Sequence, residues 1–171
     1  MLIGKIMMKN NQIKKVFIKW KHIETQCSKL SEQIEKCNTR YDTIVSIGRG
    51  GMIPSRLIAE KLNIMNIEIF NCRSYVDIAN QGKMISGSFN YNVLNNKKVL
   101  IVDDVYTTGN TLNFVCGEIY RNVDDIFIST ATMYLNSHEK LRNNFPNFWS
   151  DEYDAKKEWL VFPWEYDEER K

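Results

Sequence analysis

Two neighbouring carboxylates, Asp103 and Asp104, follow a run of four apolar residues within the string KKVLIVDDVYTTGNT at positions 97–111. The turn after them, Thr107 to Thr111, is rich in hydroxyls and precedes a helical pattern. Such a turn at a helix N-terminus offers hydroxyl and backbone N–H donors to a phosphate. Carboxylates beside a phosphate cradle suit a sugar phosphate, because the acids can bind the sugar hydroxyls. The plain structural alternative is a strand that ends in an Asp helix cap.

A second turn that could bind a ligand has the sequence SIGRGG at positions 46–51. It also follows an apolar run and precedes a helical pattern. Glycines here allow the backbone to approach an anion closely, and the following helix N-terminus favours negative charge. Arg49 adds a planar fork of hydrogen-bond donors suited to phosphate. The pattern is equally typical of an ordinary turn between a strand and a helix, and it gains weight from its position before the acid pair.

The elements around these turns are predicted from the spacing of apolar residues. Helical spacing predicts a helix from Trp20 to about Cys37, one that runs past Pro54 to about Leu62, and one at 111–121. Apolar runs predict strands at 15–19, 43–47, 65–70, 99–102, 126–133 and 159–162. Residues 73–96 and 136–157 show no clear period and are predicted to be irregular. Strands that alternate with helices predict an α/β fold with a parallel sheet and helices on both faces.

The whole chain has the size and composition of one domain. It has 171 residues, of which 43% are hydrophobic and 26% charged, and its net charge is +2. These values imply neither a nucleic-acid partner nor a membrane partner. The four cysteines show no CxxC pair, so we expect reduced thiols, no zinc site and a cytoplasmic protein. Residues 1–14 are expected to form a loose extension of the domain at 1–171.

The string at 97–111 resembles the 5-phosphoribosyl pyrophosphate (PRPP) motif of type I phosphoribosyltransferases. The resemblance implies that Asp103 and Asp104 contact the ribose hydroxyls, directly or through Mg²⁺. It also implies a 5′-phosphate site in the turn formed by Thr107, Thr108, Gly109, Asn110 and Thr111. The earlier turn resembles the pyrophosphate-binding loop of the same enzymes, which assigns the pyrophosphate to Gly48, Arg49, Gly50 and Gly51.

Two further strings resemble purine enzymes of this family, the first in general and the second its xanthine-guanine group. Arg73-Ser74-Tyr75 resembles the tripeptide that opens a flexible lid, here residues 73–96, and the resemblance implies contact with the pyrophosphate. The string WLVFPWE at 159–165 resembles the C-terminal hood, here about residues 136–166. It implies that Trp159 stacks on a nucleobase, that Leu160 offers main-chain groups to it, and that Glu165 binds a water on the metal. The implied fold is a central, mostly parallel sheet flanked by helices, with a small hood.

At two positions the chain departs from the purine enzymes. They carry Asp where this chain has Thr107, and a Thr is not a general base at neutral pH without strong activation. They also place a Lys near the end of the strand predicted at 126–133, where Tyr134 is the best match here. Tyr134 can donate a hydrogen bond to a carbonyl but brings no charge. The half of the site that holds the sugar phosphate is therefore intact in sequence, whereas the half that reads the base is altered.

The resemblance implies a transferase that joins PRPP to a nucleobase and releases pyrophosphate, with Mg²⁺ as cofactor. A 6-oxopurine is the first expected acceptor, which would place the protein in purine salvage. A different acceptor, such as a pyrimidine, an amine or a modified base, remains an alternative. So does a regulator that binds PRPP or nucleotides without catalysis. No nucleic-acid or membrane partner is expected, and the family leads us to expect a homodimer or homotetramer.

Overall fold

The computed structural model describes residues 13–77, 80–140 and 146–165, and the side chains of residues 74–83 are outside the description. Within this part, eight strands and three α-helices follow one another along the chain. Their bounds are β1 (Lys14–Phe17), α1 (Trp20–Lys36), β2 (Thr43–Gly48), α2 (Met52–Leu62), β3 (Asn66–Asp77), β4 (Asn80–Ser86), β5 (Lys98–Tyr106), α3 (Asn110–Asn122), β6 (Phe127–Asn136), β7 (Phe148–Tyr153) and β8 (Glu158–Val161). None of the described helices has the length and hydrophobicity to cross a membrane.

Six strands form the central sheet in the order β4-β3-β2-β5-β6-β7. Every neighbouring pair is parallel except β3 and β4, which are antiparallel. The strands β1 and β8 pair in parallel as a separate two-stranded sheet. The predicted α/β class, with a mostly parallel sheet flanked by helices, is therefore confirmed.

The sheet is buried on both faces because alternate residues of its central strands point to opposite sides. In β5, Leu100 and Val102 pack with α1 and α2 on one face, whereas Val99 and Ile101 pack with α3 on the other. Helix α1 supplies Ile23, Cys27, Leu30 and Ile34, all buried and spaced three or four residues apart. Each such aliphatic side chain contributes about 1.5–3 kcal/mol by its burial. The two helical layers thus fix the sheet that carries the site.

Three predicted element bounds were wrong. Residues 73–96 are not irregular throughout, because β3 continues to Asp77 and pairs with β4 to form an antiparallel ribbon. Residues 136–157 contain β7, an edge strand paired with β6. Strand β5 does not end before the acid pair but continues to Tyr106. In each case backbone pairing continues where the apolar pattern stops, and the pattern was the only signal used. Most of the predicted N-terminal extension lies outside the described residues.

Candidate functional site

The connections of β2 and β5 create a crevice between two neighbouring strands. The chain leaves β2 through α2 to reach β3 on one side, and it leaves β5 through α3 to reach β6 on the other side. Because α2 and α3 cover opposite faces of the sheet, their first turns diverge at the carboxyl ends of β2 and β5. Ligands of open α/β sheets bind at such a switch point. Both turns predicted from sequence lie here.

The acid pair lies on β5 at this crevice. Asp103 is 8% exposed and Asp104 is partly buried. The Asp104 N–H donates a hydrogen bond of 2.9 Å to Asp103 Oδ1. Burial raises the pKa of Asp103 well above its ordinary value, and the neighbouring charge of Asp104 raises it further. Burial also raises the pKa of Asp104, to about 6, and the charge of Glu165 acts in the same direction.

The donor chemistry of the pair fits a divalent cation that is shared with a ligand. Among the described residues, neither carboxylate forms an ion pair with a Lys or Arg. In the same part of the chain no three acidic, His or Cys side chains come together as a complete metal site. Mg²⁺ is commonly held by one or two carboxylates together with substrate phosphates rather than by a protein cage. Two uncompensated carboxylates at a ligand crevice match that arrangement.

The glycine turn packs directly against the acid pair. A Cβ at Gly50 would overlap the carboxylate of Asp104, and a Cβ at Gly51 would overlap the carbonyl oxygen of Val102. The Gly51 N–H donates to the carbonyl of Ile47 at 2.9 Å, which closes the turn before α2 begins. The peptide bond between Gly48 and Arg49 is cis. The turn thus brings backbone groups to the acids at a distance that only glycine permits.

The hydroxyl turn forms a small polar cavity of about 230 Å³ beside the acid pair. Its lining comprises Asp103, Asp104, Val105, Tyr106, Thr107, Thr108, Gly109, Asn110, Thr111, Leu112 and Thr132. Gly109 has a φ of +80°, and a Cβ there would overlap the Tyr106 ring. Helix α3 begins at Asn110, and the first N–H groups of a helix have no partner within it. Backbone donors and hydroxyls therefore converge on a cavity with the properties of an anion site.

A larger cavity of about 730 Å³ lies next to the acid pair, between the sheet and the β1–β8 pair. Its lining comprises Arg49, Gly50, Met52, Ile53, Asp104, Val105, Thr107, Tyr153, Ala155, Glu158, Trp159, Leu160, Phe162, Trp164 and Glu165. Trp159 is 62% exposed, so its indole face is available. The rings of Phe162 and Trp164 stack with their centroids 4.8 Å apart and 5° between their planes. Aromatic walls with a polar floor suit a flat heterocycle.

Most of the predicted site residues lie on these two cavities. Trp159 and Leu160 both line the larger one, and Arg49 lies at its edge with an exposed side chain. Glu165 also lines it, and its Oε2 accepts a hydrogen bond of 2.8 Å from the N–H of Phe162. Gly48 is the residue that ends β2, at the start of the glycine turn.

The structure does not place Tyr134 on the wall of either cavity. Its side chain is 3% exposed, and its ring packs against Phe162 with centroids 5.9 Å apart. Its hydroxyl is buried without a hydrogen-bond partner in the described structure, and burial raises its pKa. The predicted match to a base-reading residue is therefore wrong in position. Sequence order suggested it, but the hydroxyl lies beneath the hood rather than in the cavity.

Tyr153 is the residue of the site that sequence reasoning missed. Its hydroxyl lies 2.8 Å from Thr107 Oγ1, and both residues line the larger cavity. Tyr153 ends β7, the strand that the apolar pattern did not reveal. Phe162 and Trp164 of the aromatic string at 159–165 also line the cavity.

The predicted lid residues lie on the β3–β4 ribbon. Arg73 pairs with Ile85 across the ribbon and is exposed. The backbone of Ser74 and Tyr75 continues β3, with a shift of register after Tyr75, but their side chains lie outside the description. Contact between these residues and a pyrophosphate stays a prediction.

Comparison with known proteins agrees with this geometry. Residues 16–170 match the family described as phosphoribosyl transferase domain. The transcriptional regulator GfcR of Methanocaldococcus jannaschii is 30% identical over 106 residues, which is 57% of this chain and 49% of the regulator. The chain thus spans about half the length of that relative.

Two solved structures are similar over most of the chain. The purine phosphoribosyltransferase of Pyrococcus horikoshii is 26% identical with a TM-score of 0.74, covering 88% of this chain and 94% of that one. The xanthine-guanine-hypoxanthine phosphoribosyltransferase of Helicobacter pylori has a TM-score of 0.78 at 18% identity, covering 92% and 97%, and it supports the fold alone. With the family match over nearly the whole chain and the acid pair at the switch point, this chain belongs to the phosphoribosyltransferase family.

Proposed function

We propose that the protein transfers the 5-phosphoribosyl group of PRPP to a ring nitrogen of a nucleobase, with a 6-oxopurine as the first candidate. The observation that carries the proposal is the acid pair, which lies between an anion cavity on one side and an aromatic cavity on the other. PRPP has a ribose between a 5′-phosphate and a 1′-pyrophosphate. The order of phosphate site, carboxylates and aromatic pocket matches the order of phosphate, ribose and base in the product.

In this arrangement the protein supports the reaction mainly through position and charge. The N–C1′ bond forms, the C1′–O bond to pyrophosphate breaks, the pyrophosphate leaves with the electron pair, and the ring proton of the base passes to solvent. Asp103 and Asp104 hold the ribose hydroxyls, and their negative charge favours positive charge on the ring. The backbone N–H groups of the turn at 107–111 hold the 5′-phosphate together with the hydroxyls of Thr108 and Thr111, while the Thr107 hydroxyl is bonded to Tyr153. Mg²⁺, when bound by the acids and the ligand, supplies charge neutralisation to the leaving group.

Arg49 and the backbone of the glycine turn are placed to bind the departing pyrophosphate. The turn lies against Asp104, so a diphosphate on it would be adjacent to the ribose site. Closure of the β3–β4 ribbon over this end would exclude water, which otherwise competes as an acceptor for C1′. Arg73 lies at the base of that ribbon.

Trp159 would stack on the acceptor, and the main chain at Leu160 would read its edge. The preference for a 6-oxopurine draws support from the P. horikoshii neighbour, which is described as a purine phosphoribosyltransferase. Two observations argue against a purine acceptor. Thr107 stands in place of an acid, and Tyr134 does not line the cavity. A pyrimidine, amine or modified base is the alternative acceptor for the same chemistry.

The test is pyrophosphate release from PRPP and Mg²⁺ with hypoxanthine, guanine, xanthine, adenine, orotate and uracil in turn. We expect release with at least one 6-oxopurine, and a product that co-elutes with the corresponding monophosphate. Asp103→Asn and Asp104→Asn serve as inactive controls. Release with orotate or uracil alone would keep the transferase and refute the purine assignment.

A second candidate is a regulator that binds PRPP or a nucleotide without turnover. The observation in its favour is the 30% identity to a transcriptional regulator over 106 residues. The aligned region is 49% of that relative. Binding of PRPP without pyrophosphate release, with any base of the panel, would favour this candidate over the enzyme.

A further inference from the structure

Three strand ends of the central sheet converge on Thr107. Its hydroxyl lies 2.8 Å from the hydroxyl of Tyr153 at the end of β7. Its carbonyl accepts a hydrogen bond of 2.9 Å from the Asn136 side-chain amide at the end of β6. Thr107 itself follows directly after β5. Both the side chain and the backbone of this threonine are therefore held in place from neighbouring strands.

The hydroxyl pair Thr107–Tyr153 is a polar element in a cavity whose other walls are largely apolar. Both residues line the larger cavity, together with Asp104 on the side of the acid pair. The side chain of Thr107 is exposed, whereas Tyr153 is 8% exposed. The pair thus lies where the edge of a stacked base would face the sheet.

The number of protons on the pair decides what it can recognise. Two hydroxyls carry two protons, and the bond between them uses one of these, whichever group donates. One O–H donor is left for a ligand. Burial raises the pKa of Tyr153, the bond to Thr107 lowers it, and the charge of Asp104 raises it again, with a net rise. The pair is therefore neutral at neutral pH, and it donates where a carboxylate would accept.

We infer that Thr107 and Tyr153 act as one hydrogen-bonding unit that recognises the edge of the base and selects ligands presenting an unprotonated ring nitrogen or a carbonyl oxygen there. This inference rests on the proposed function, since it assumes that the larger cavity holds a base. Tyr153 is in this account a positioning residue, because it fixes the Thr107 hydroxyl, and the pair determines specificity rather than the chemical step.

The test is a double-mutant cycle on mononucleotide binding, measured by calorimetry. The probes are inosine, adenosine and uridine 5′-monophosphates, and the tightest of them is used for the cycle. Tyr153→Phe and Thr107→Val should each weaken binding roughly 5- to 20-fold, because each leaves a polar partner unpaired. Since the two hydroxyls act as a unit, the double variant should bind within about twofold of Thr107→Val.

Two further variants separate recognition from structure. Thr107→Ser keeps the hydroxyl and should bind within about threefold of the wild type. Tyr134→Phe makes the same chemical change as Tyr153→Phe at a buried tyrosine that does not line the cavity, so its binding should be unchanged. The inference would be overturned if the losses of affinity in the two single variants multiplied in the double variant. It would also be overturned if Tyr153→Phe bound the mononucleotide as tightly as the wild type. Failure of the wild type to bind any of the three probes would overturn it as well.

The same calorimeter distinguishes this inference from the proposed function. PRPP with Mg²⁺ carries no base, so its affinity should be the same in the wild type and Tyr153→Phe. Absence of PRPP binding to the wild type would refute the proposed function. If PRPP binds normally but the effects of the Thr107 and Tyr153 substitutions on mononucleotide affinity are independent, the proposed role of the hydroxyl pair is refuted and the proposed function is not.

Discussion

Asp103 and Asp104 place two carboxylates on consecutive residues of a strand whose preceding side chains are buried. Burial raises the pKa of both carboxyls, and the charge of Asp104 raises that of Asp103 further, as the charge of Glu165 does for Asp104. Among the described residues no basic side chain forms an ion pair with either of them. This arrangement is costly for the fold and useful for a ligand, because a bound cation and sugar hydroxyls would satisfy both groups. Raised pKa values of this kind are typical of functional sites.

The unfavourable burial of the Asp104 charge predicts that Asp104→Asn becomes more stable than the wild type as the pH rises. The pKa of Asp104 is raised to about 6 in the folded protein, whereas an unfolded chain has the ordinary value near 3.9. Below about pH 4 both states are protonated and the folded state carries no penalty. As the pH rises through 6 the folded carboxyl must ionise, and the folded protein loses about 2–3 kcal/mol relative to the amide variant.

Urea unfolding of the wild type and Asp104→Asn at pH 4.5, 6 and 8 measures this difference. The free energy of unfolding of the variant should increase relative to that of the wild type as the pH rises. Pyrophosphate release by the variant should be at least about 100-fold lower than by the wild type, because the ribose contact is lost. A stability difference that is constant over this pH range would contradict the assigned burial of the charge.

The close packing of Gly50 against Asp104 predicts that a side chain at position 50 weakens PRPP binding. Since a Cβ here would overlap the Asp104 carboxylate, Gly50→Ala must displace the turn or the acid. We expect PRPP binding to weaken at least about 10-fold, in line with the loss of one good ligand contact. Gly117→Ala is the matched control, because a Cβ in the middle of α3 meets only the end of Arg121 at 3.7 Å. That control should bind normally and gain roughly 0.5–1 kcal/mol of stability.

At the scale of elements, Asn136 joins the carboxyl ends of β5 and β6 to the segment before β8. Its amide donates to the Thr107 carbonyl at 2.9 Å, and its Oδ1 accepts from the Ala155 N–H at 3.4 Å. Asn136 is 6% exposed, so these bonds are shielded from water. The end of the site proposed to bind the base is therefore tied to both strands by this link.

Asn136→Ala should therefore destabilise the protein by about 1–3 kcal/mol, because buried partners are left unpaired. It should also weaken mononucleotide binding more than PRPP binding, since Thr107 loses its backbone support. Urea unfolding and calorimetry measure the two effects. Asn122→Ala at the end of α3 should change neither by much, because the Asn122 amide donates to the Glu118 carbonyl of its own helix. Equal losses of stability and of mononucleotide affinity in Asn136→Ala and Asn122→Ala would contradict the proposed link.

The elements also show what a single sequence can reveal. Helix α1 and strand β2 were predicted to within a residue or two, because burial imposes a clear apolar period on them. The β3–β4 ribbon and β7 were missed, since edge strands are held by backbone pairing and carry mixed polar sequences such as FWSDEY. The acid pair and both turns were found from their spacing, whereas Tyr153 was not, because its contact with Thr107 spans 46 positions.

At the scale of the whole molecule, the sheet and the β1–β8 pair divide the site into two halves. The sheet supplies the acids and both turns proposed to bind phosphate, all at the switch point between β2 and β5. The β1–β8 pair and the segment after it supply the aromatic wall. In the sugar-phosphate half, the acid pair and the turn at 107–111 line one cavity, and the glycine turn packs against Asp104. The base half departs from the family resemblance, in Thr107, Tyr153 and the displaced Tyr134.

The acid pair and its two turns are proposed to form a site for PRPP. Calorimetric titration of PRPP into the wild type, with and without Mg²⁺, tests it most directly, with Asp103→Asn as the comparison. We predict Mg²⁺-dependent binding at a ratio of one PRPP per chain, weakened at least about 10-fold in Asp103→Asn, because one charged ligand contact is lost. Absence of binding, or equal binding in the wild type and Asp103→Asn, would contradict the account.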